Sequence, residues 1–260
     1  MSDNTKSSWG LDKGQQRDTN QDSLAAVDLT EATHDETQYV EVYAVADGMG
    51  GHEAGEVASK LAVQAVMYHD LDSLTEIAAD TPEDTRAWLE HAIHVANQSV
   101  LNERAKGGAN MGTTLVLAVV MNDHIHVANV GDSRAYLITA EDIHRITTDH
   151  SMAQYLVDSG KLTPEEARDH PRQNVLYNAL GREEDISVDT FDLQAVPGDC
   201  LLLCSDGLWN ELRDETIFEI VQRADTLDDA CRDLVNAANA AGGRDNIAVV
   251  LARIEAPGEA

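Results

Sequence analysis

Positive charge is scarce in this sequence: 18 Lys and Arg stand against 47 Asp and Glu, for a formal net charge of −29. That balance argues against nucleic acid or an anionic membrane surface as a partner through general electrostatics, since both are polyanions. It leaves room for a local basic site. Cysteine is nearly absent as well. The three present, Cys200, Cys204 and Cys231, are an odd number without zinc-ligand spacing. Cys200 and Cys204 share one strand-like run, where a rise of about 3.3 Å per residue separates them by roughly 13 Å, beyond disulfide reach. No apolar run has membrane-span length, and the opening MSDNTKSSWG has no apolar signal region. The expectation is a soluble chain in a reducing, cytoplasmic setting.

What is present suits a folded domain. The 260 residues are 43% hydrophobic, enough for a sizeable core. No long linker or internal repeat interrupts 9–254, so a single domain is expected there, with 1–8 and 255–260 as tails. Strand-like runs are YVEVYAVA, TTLVLAVVM, HIHVANV, RAYLI, DCLLLCS and NIAVVLARI. The turns NDH and GDS between consecutive runs are too short for parallel crossovers and predict antiparallel hairpins. Helices are marked by their caps. One is expected from Gly55 to about Leu71, and one from an N-cap at Thr81 with Pro82 in its first turn. Others follow Ser151, closed by Gly160, then a capping box at Thr163 and Glu166, and Thr226. Hairpins with helices inserted in blocks predict an α+β layered architecture.

The chemistry gathers at aspartates beside strand ends. YAVADGMGGHEAGEVAS runs from strand through glycine-rich turn into helix, the layout of a phosphate cradle, yet Asp47 sits at its mouth. VGDS carries Asp132 in a turn, CSDG carries Asp206 after a buried-looking strand, GGRDN carries Asp245 before the last strand, and RDTNQD carries Arg17 and Asp22. Each alone is an ordinary turn aspartate. As a set at one sheet rim they must be protonated or share cations. Oxygen ligands favour Mg²⁺ or Mn²⁺, which keep most of their waters, and a phosphate then binds to the ions instead of meeting bare carboxylates.

In order along the chain, RDTNQD, VADGMGGHEAG, GTTLVLAVV, VANVGDSRAYLI, TTDHS, CSDGLWNEL and GGRDNIAVVLARI resemble the metal-dependent protein phosphatases of type 2C, the PPM family, in its bacterial branch. The resemblance implies two stacked antiparallel β-sheets flanked by helices, an α-β-β-α sandwich, with 151–181 as a flap. It implies hydrolysis of phosphoserine and phosphothreonine in proteins by a hydroxide bridging two Mn²⁺ or Mg²⁺ ions, without a covalent intermediate. Carried over by match, Asp47 bridges the two ions, the Gly48 carbonyl binds one, Asp206 and Asp245 hold the other, and Asp22 supports their waters. Asp132 helps to bind a weaker third ion, and Arg17 grips the substrate phosphate. The implied partners are phosphorylated proteins, among them a eukaryotic-like Ser/Thr kinase or its substrates, and the expected state is a monomer without nucleic acid or membrane.

The chain departs from the family at two places. Gln21 stands where the family most often has Glu beside Asp22, which removes one charge. Met49 stands where animal members have a histidine assigned as general acid. Met49 cannot give a proton, so a metal-bound water is the expected donor in preference to nearby His52. Among the other histidines, His124 and His126 read as an exposed strand face and His91 and His94 as a solvated helix face, while His150 in TTDHS matches the family without a role that the sequence supplies. Asp149 is expected to cap the next helix or order the flap, while Trp9 and Trp209 are expected to pack. No Cys-x₅-Arg, aspartyl-phosphate or P-loop motif is present. The competing reading is a catalytically silent relative serving as a binding or regulatory module, which should have lost Asp47, Asp206 or Asp245.

Overall fold

The computed structural model describes residues 6–29, 31–32, 37–38, 40–50, 53–69, 71–77, 82–107 and 110–255. Two sheets dominate them. One has the order β1 (Ser7–Asp12), β13 (Ile247–Arg253), β12 (Cys200–Cys204), β9 (Arg134–Ile138), β10 (Ile143–Arg145). The other runs β11 (Asp189–Gln194), β8 (His124–Val130), β7 (Leu115–Met121), β5 (Val40–Met49), β2 (Asp22–Asp28), with β6 (Gly112–Thr113) paired to the end of β5. Every pairing is antiparallel. A short separate ribbon joins β3 (Glu31–Ala32) to β4 (Thr37–Gln38).

Strand periodicity explains the layers. Side chains alternate between faces, and here both faces are covered, so the runs are apolar throughout. Tyr43, Val45, Val116, Leu201, Leu203 and Val250 meet between the sheets. The alternate residues Val42, Ala44, Leu115 and Leu117 face α1 (Glu53–Met67), α2 (Asp72–Ile77) and α3 (Pro82–Gly107). On the opposite side Leu202, Cys204 and Val249 pack with α6 (Asp206–Trp209), α7 (Asp214–Arg223) and α8 (Leu227–Ala241). This is the expected α-β-β-α arrangement. Burial raises the thiols of all three cysteines, so none offers a reactive thiolate. No described helix is long and apolar enough to cross a membrane.

The caps hold where they are described. Ser151 Oγ caps α4 (Met152–Asp158), Thr163 and Glu166 form the capping box of α5 (Pro164–Arg168), and Thr226 caps α8. Thr81 lies outside the described residues. The first helix begins at Glu53 and ends at Met67, shifted toward the N-terminus from the expected span.

One hairpin is corrected. β7 and β8 do form the expected antiparallel pair around Asn122 and Asp123. The GDS turn, however, joins no hairpin: β8 pairs with β7 and β11, whereas β9 pairs with β10 and β12. The chain crosses there from one sheet to the other. Gly131 makes the crossing with φ +112°, and a Cβ on it would lie 2.6 Å from Thr114 Cβ. Gly131→Ala is therefore expected to cost about 1–3 kcal/mol. Urea unfolding of the variant checks this, and a change below about 0.5 kcal/mol, the scale of a neutral surface substitution, would contradict it.

Candidate active site

The fold delivers five aspartates to one rim. Asp22 opens β2 and stands in register opposite Asp47 on β5, so pairing alone makes these two cross-strand neighbours. Asp206 opens α6 directly after β12, Asp245 precedes β13, and β12 and β13 are adjacent. Asp132 sits in the sheet-crossing turn. Asp22, Asp132 and Asp206 are buried, while Asp47 and Asp245 are half-buried and open the cluster to solvent.

Burial and like charge act together on these groups. Burial pushes the Asp22 carboxyl up to about 8 against a 2.6 Å hydrogen bond from Ser205 Oγ, and the Asp206 and Asp245 charges add to the rise. Burial, then Asp245, raises Asp206 to about 7. Asp47 is held well above the usual carboxylate range by burial and by Asp22, Asp206, Asp132 and Asp245. Asp132 is also held high by burial, with Asp206 and Asp149 adding and Arg134 opposing. Asp22 Oδ1 and Asp206 Oδ1 are buried without a hydrogen-bond partner.

Orphaned hard oxygens among mutually repelling carboxylates fit a divalent oxygen-seeking cation. A Cβ on Gly55 would lie 2.7 Å from the Gly48 carbonyl oxygen, so only glycine lets α1 approach that oxygen so closely. Among the described residues no group of three or more His, Cys, Asp or Glu is arranged to hold an ion by itself. The fit is thus to an ion that keeps most of its water, as Mg²⁺ and Mn²⁺ do, and not to a closed cage.

Around the cluster, backbone clamps fix the geometry. The Asn246 side chain accepts from Gln21 N at 2.8 Å and donates to the carbonyls of Lys13 and Thr19, each at 2.9 Å. The Gln21 carbonyl accepts from Gly48 N and from Ser59 Oγ. Gln21 Nε2 lies where a Cβ on Gly55 would stand 2.5 Å away, so the amide occupies the β5–α1 junction. Thr114 Oγ1 accepts from Asp47 N and shares a 2.7 Å hydrogen bond with Ser133 Oγ, tying the two strand ends to the crossing turn. Arg17, half-exposed, donates to Asp245 Oδ2 at 2.6 Å, and this hydrogen bond raises its pKa further.

Several side chains matter that the sequence reading missed or misplaced. His150, without a role from sequence, is buried. Its Nδ1 accepts from Gly131 N at 3.2 Å and Asn178 Nδ2 at 2.8 Å, which leaves the proton on Nε2 to face Asp189 at 3.0 Å. Its own backbone N–H donates to the Gly131 carbonyl, so His150 grips both sides of the residue before Asp132. Asp149 does not cap a helix, because Ser151 does. Both its oxygens instead bind the buried Arg134, at 2.9 and 2.7 Å. Arg134 lies 3.6 Å from the centre of the Trp209 ring, and Trp209 Nε1 donates to the Asp132 carbonyl at 3.0 Å. Trp209 packs as expected, but Trp9 is 60% exposed. His124 is exposed, whereas His126 is buried against Asp192 at 2.7 Å, because β11 covers that edge of β8. His91 and His94 are exposed as expected. Met49 Sδ lies 3.0 Å from Arg182 Nη2, and His52 lies outside the described residues.

Known proteins share this frame. A family model described as protein phosphatase 2C matches residues 10–252. The serine/threonine phosphatase stp of Listeria monocytogenes serotype 4b is 40% identical over 210 residues, covering 80% of this chain and 82% of that protein. The structure of the Streptococcus agalactiae serine/threonine phosphatase superposes with a TM-score of 0.83 at 32% identity, over 96% of this chain and 99% of that one. The catalytic domain of the phosphatase PstP, solved with two manganese ions, gives 0.78 at 32% identity over 96% and 97%.

The raised carboxyls make stability depend on pH. In the unfolded chain Asp22 and Asp206 titrate near 4, but in the cation-free fold near 8 and 7. The folded state therefore binds more protons between those limits, so its advantage is full below the unfolded value and is lost as pH rises through 7 to 8. Thermal melts in chelator should shift downward between pH 6 and pH 8.5, and Mn²⁺ should raise the melting temperature most at the alkaline end. A pH-independent melt that Mn²⁺ does not move would contradict the cluster's electrostatics.

Proposed function

The chain belongs to the protein phosphatase 2C family, and we propose that it hydrolyses phosphoserine and phosphothreonine in proteins at this aspartate rim. The carrying observation is the set of buried, mutually repelling carboxylates with two orphaned oxygens at the meeting of both sheets. Asp47 and the Gly48 carbonyl, with Asp206 and Asp245, would hold two Mn²⁺ or Mg²⁺ ions, Asp22 supporting their waters. When bound, such ions supply an activated water as nucleophile and neutralise charge on the phosphoryl group.

The chain's own groups do the rest. Arg17 reaches the rim through Asp245 and keeps further N–H donors to orient a phosphate by charge-assisted hydrogen bonds. Gln21 offers a neutral amide where a carboxylate would add charge, so it orients water without strengthening the cation field. Met49 cannot donate a proton to the leaving oxygen. Asp132, fixed by Trp209 at its carbonyl and by His150 through Gly131, would hold a third and weaker ion. The 9–254 region would act as one catalytic domain, with 151–181 as its flap. Substrates would be phosphoproteins in the cytoplasm, including a eukaryotic-like Ser/Thr kinase or its targets, with the enzyme working as a monomer. The aspartates that a silent relative would have lost are all present.

Two substitutions test these roles. Asp47→Asn removes one carboxylate charge from the set that would hold the ions, so hydrolysis of a chromogenic aryl phosphate in Mn²⁺ should fall by several orders of magnitude. Near-normal turnover would remove Asp47 from the metal site, and wild-type turnover in chelator would remove the metals. Asp132→Ala should keep the two tight Mn²⁺ sites in calorimetric titration while kcat drops well below the wild type. Wild-type kcat with only about 1 kcal/mol lost from stability would make Asp132 a turn residue alone.

A further inference from the structure

Between the 151–181 segment, the end of α6 and the start of α7 lies a cavity of about 370 Å³. It is not the aspartate rim but its neighbour. Trp209 forms part of the cavity wall and donates its Nε1–H to the Asp132 carbonyl. The cavity concentrates what the chain lacks: Arg134, Arg145, Arg168 and Arg213 all line it, in a sequence with 18 basic residues in total.

Four carboxylates share the wall with these arginines, so what is incomplete is direct ion pairing and not net charge. Among the described residues Asp149 alone is ion-paired with them, through Arg134 at 2.7 Å and Arg145 at 3.6 Å. Arg168 donates to the neutral carbonyls of Trp209 at 2.8 Å and Leu212 at 3.1 Å. Burial holds Arg168 below its ordinary value, with the charges of Arg134 and Arg213 adding to the effect and Asp214 and Tyr136 opposing it. Arg213 is exposed and makes no ion pair among the described residues. The other carboxylates on the wall, Glu165, Asp214 and Glu215, stand in the first turns of α5 and α7, where helix N-termini favour them. Gln173, also on the wall, has a buried Oε1 without a hydrogen-bond partner. An orphaned acceptor calls for an N–H donor, and the guanidinium groups of Arg168 and Arg213, which make no ion pair among the described residues, call for an anion.

A peptide segment with an acidic side chain supplies both, its carboxylate to the arginines and its backbone N–H to Gln173. We propose that this cavity is a docking subsite for an Asp or Glu side chain flanking the phosphorylated residue of the substrate protein, which sets a preference for acidic phosphosites. The proposal rests on the phosphatase reading above and adds the sequence context of its substrate. Arg213 is the specificity residue, since it makes no ion pair among the described residues and is exposed to solvent. The volume is at the lower end of that of ligand clefts, suited to one side chain with its backbone.

The test is a series of phosphothreonine peptides, each with one Glu scanned across the flanking positions of an otherwise neutral sequence. Turnover with Mn²⁺ and fluorescence anisotropy are measured in parallel. At one position or more, Glu should raise kcat/KM and tighten binding about tenfold over Gln, the scale of one charge-assisted hydrogen bond. In Arg213→Gln that ratio should fall toward one, and Arg213→Glu should favour Lys at the same position. No preferred Glu position, or a preference that Arg213→Gln leaves intact, overturns the subsite. A second phosphothreonine that outcompetes Glu at that position reassigns the cavity to phosphate and overturns the carboxylate assignment. Failure of the wild type to hydrolyse an aryl phosphate with Mn²⁺ strikes the phosphatase reading instead, and anisotropy then decides the acidic preference alone.

Discussion

Like charges held together at a sheet rim are the constraint on which the rest depends. β2 and β5 pair so that Asp22 faces Asp47, and the adjacent β12 and β13 bring Asp206 and Asp245 to the same end. Hydrophobic burial between the two sheets drives this, because the layer of Tyr43, Val45, Leu201, Leu203 and Val250 forms only when the strands take this register. The carboxylates follow wherever the register carries them. Their repulsion is a cost to the fold, and it becomes affinity for a cation that neutralises them.

A site built from repulsion needs a rigid frame, or the aspartates would swing apart into solvent. The frame is made of small polar groups that bind backbone. Thr114 holds Asp47 N, Ser59 and Asn246 hold the chain at Gln21, and His150 holds Gly131 on both sides. Gly131 and Gly55 supply what side chains would block, the first a turn with positive φ and the second a close approach of α1 to the Gly48 carbonyl. The sheet crossing then makes Asp132 the point where the arginine-lined cavity and the aspartate rim touch, through Trp209.

Local signals were legible in the sequence. The caps at Ser151, Thr163 and Thr226 depend on neighbours three residues away, and they are as expected. The aspartate motifs could be read because their order matches a known family. Pairings between distant residues could not be read. The four-residue step from Val130 to Arg134 looks like any hairpin turn, and only the competing partners β11 and β12 send its two strands to different sheets. His126 seemed exposed because nothing near it in sequence announces that β11, more than sixty residues on, will cover it. Trp9 seemed buried because it is large and apolar, yet β1 is an edge strand and turns that side chain outward. Asp149 was read from the helix that follows it, while its partner Arg134 lies fifteen residues earlier.

The account's central claim is that cations replace protons among the buried aspartates. Calorimetric titration of the wild type with Mn²⁺ near pH 6.5, repeated in buffers of different ionisation enthalpy, counts both ions bound and protons released. Carboxyls raised to about 8 and about 7 are largely protonated there, so the account predicts two tight Mn²⁺ ions with net proton release that fades by about pH 9. Binding with no proton release at any pH, or no tight binding at all, would contradict it.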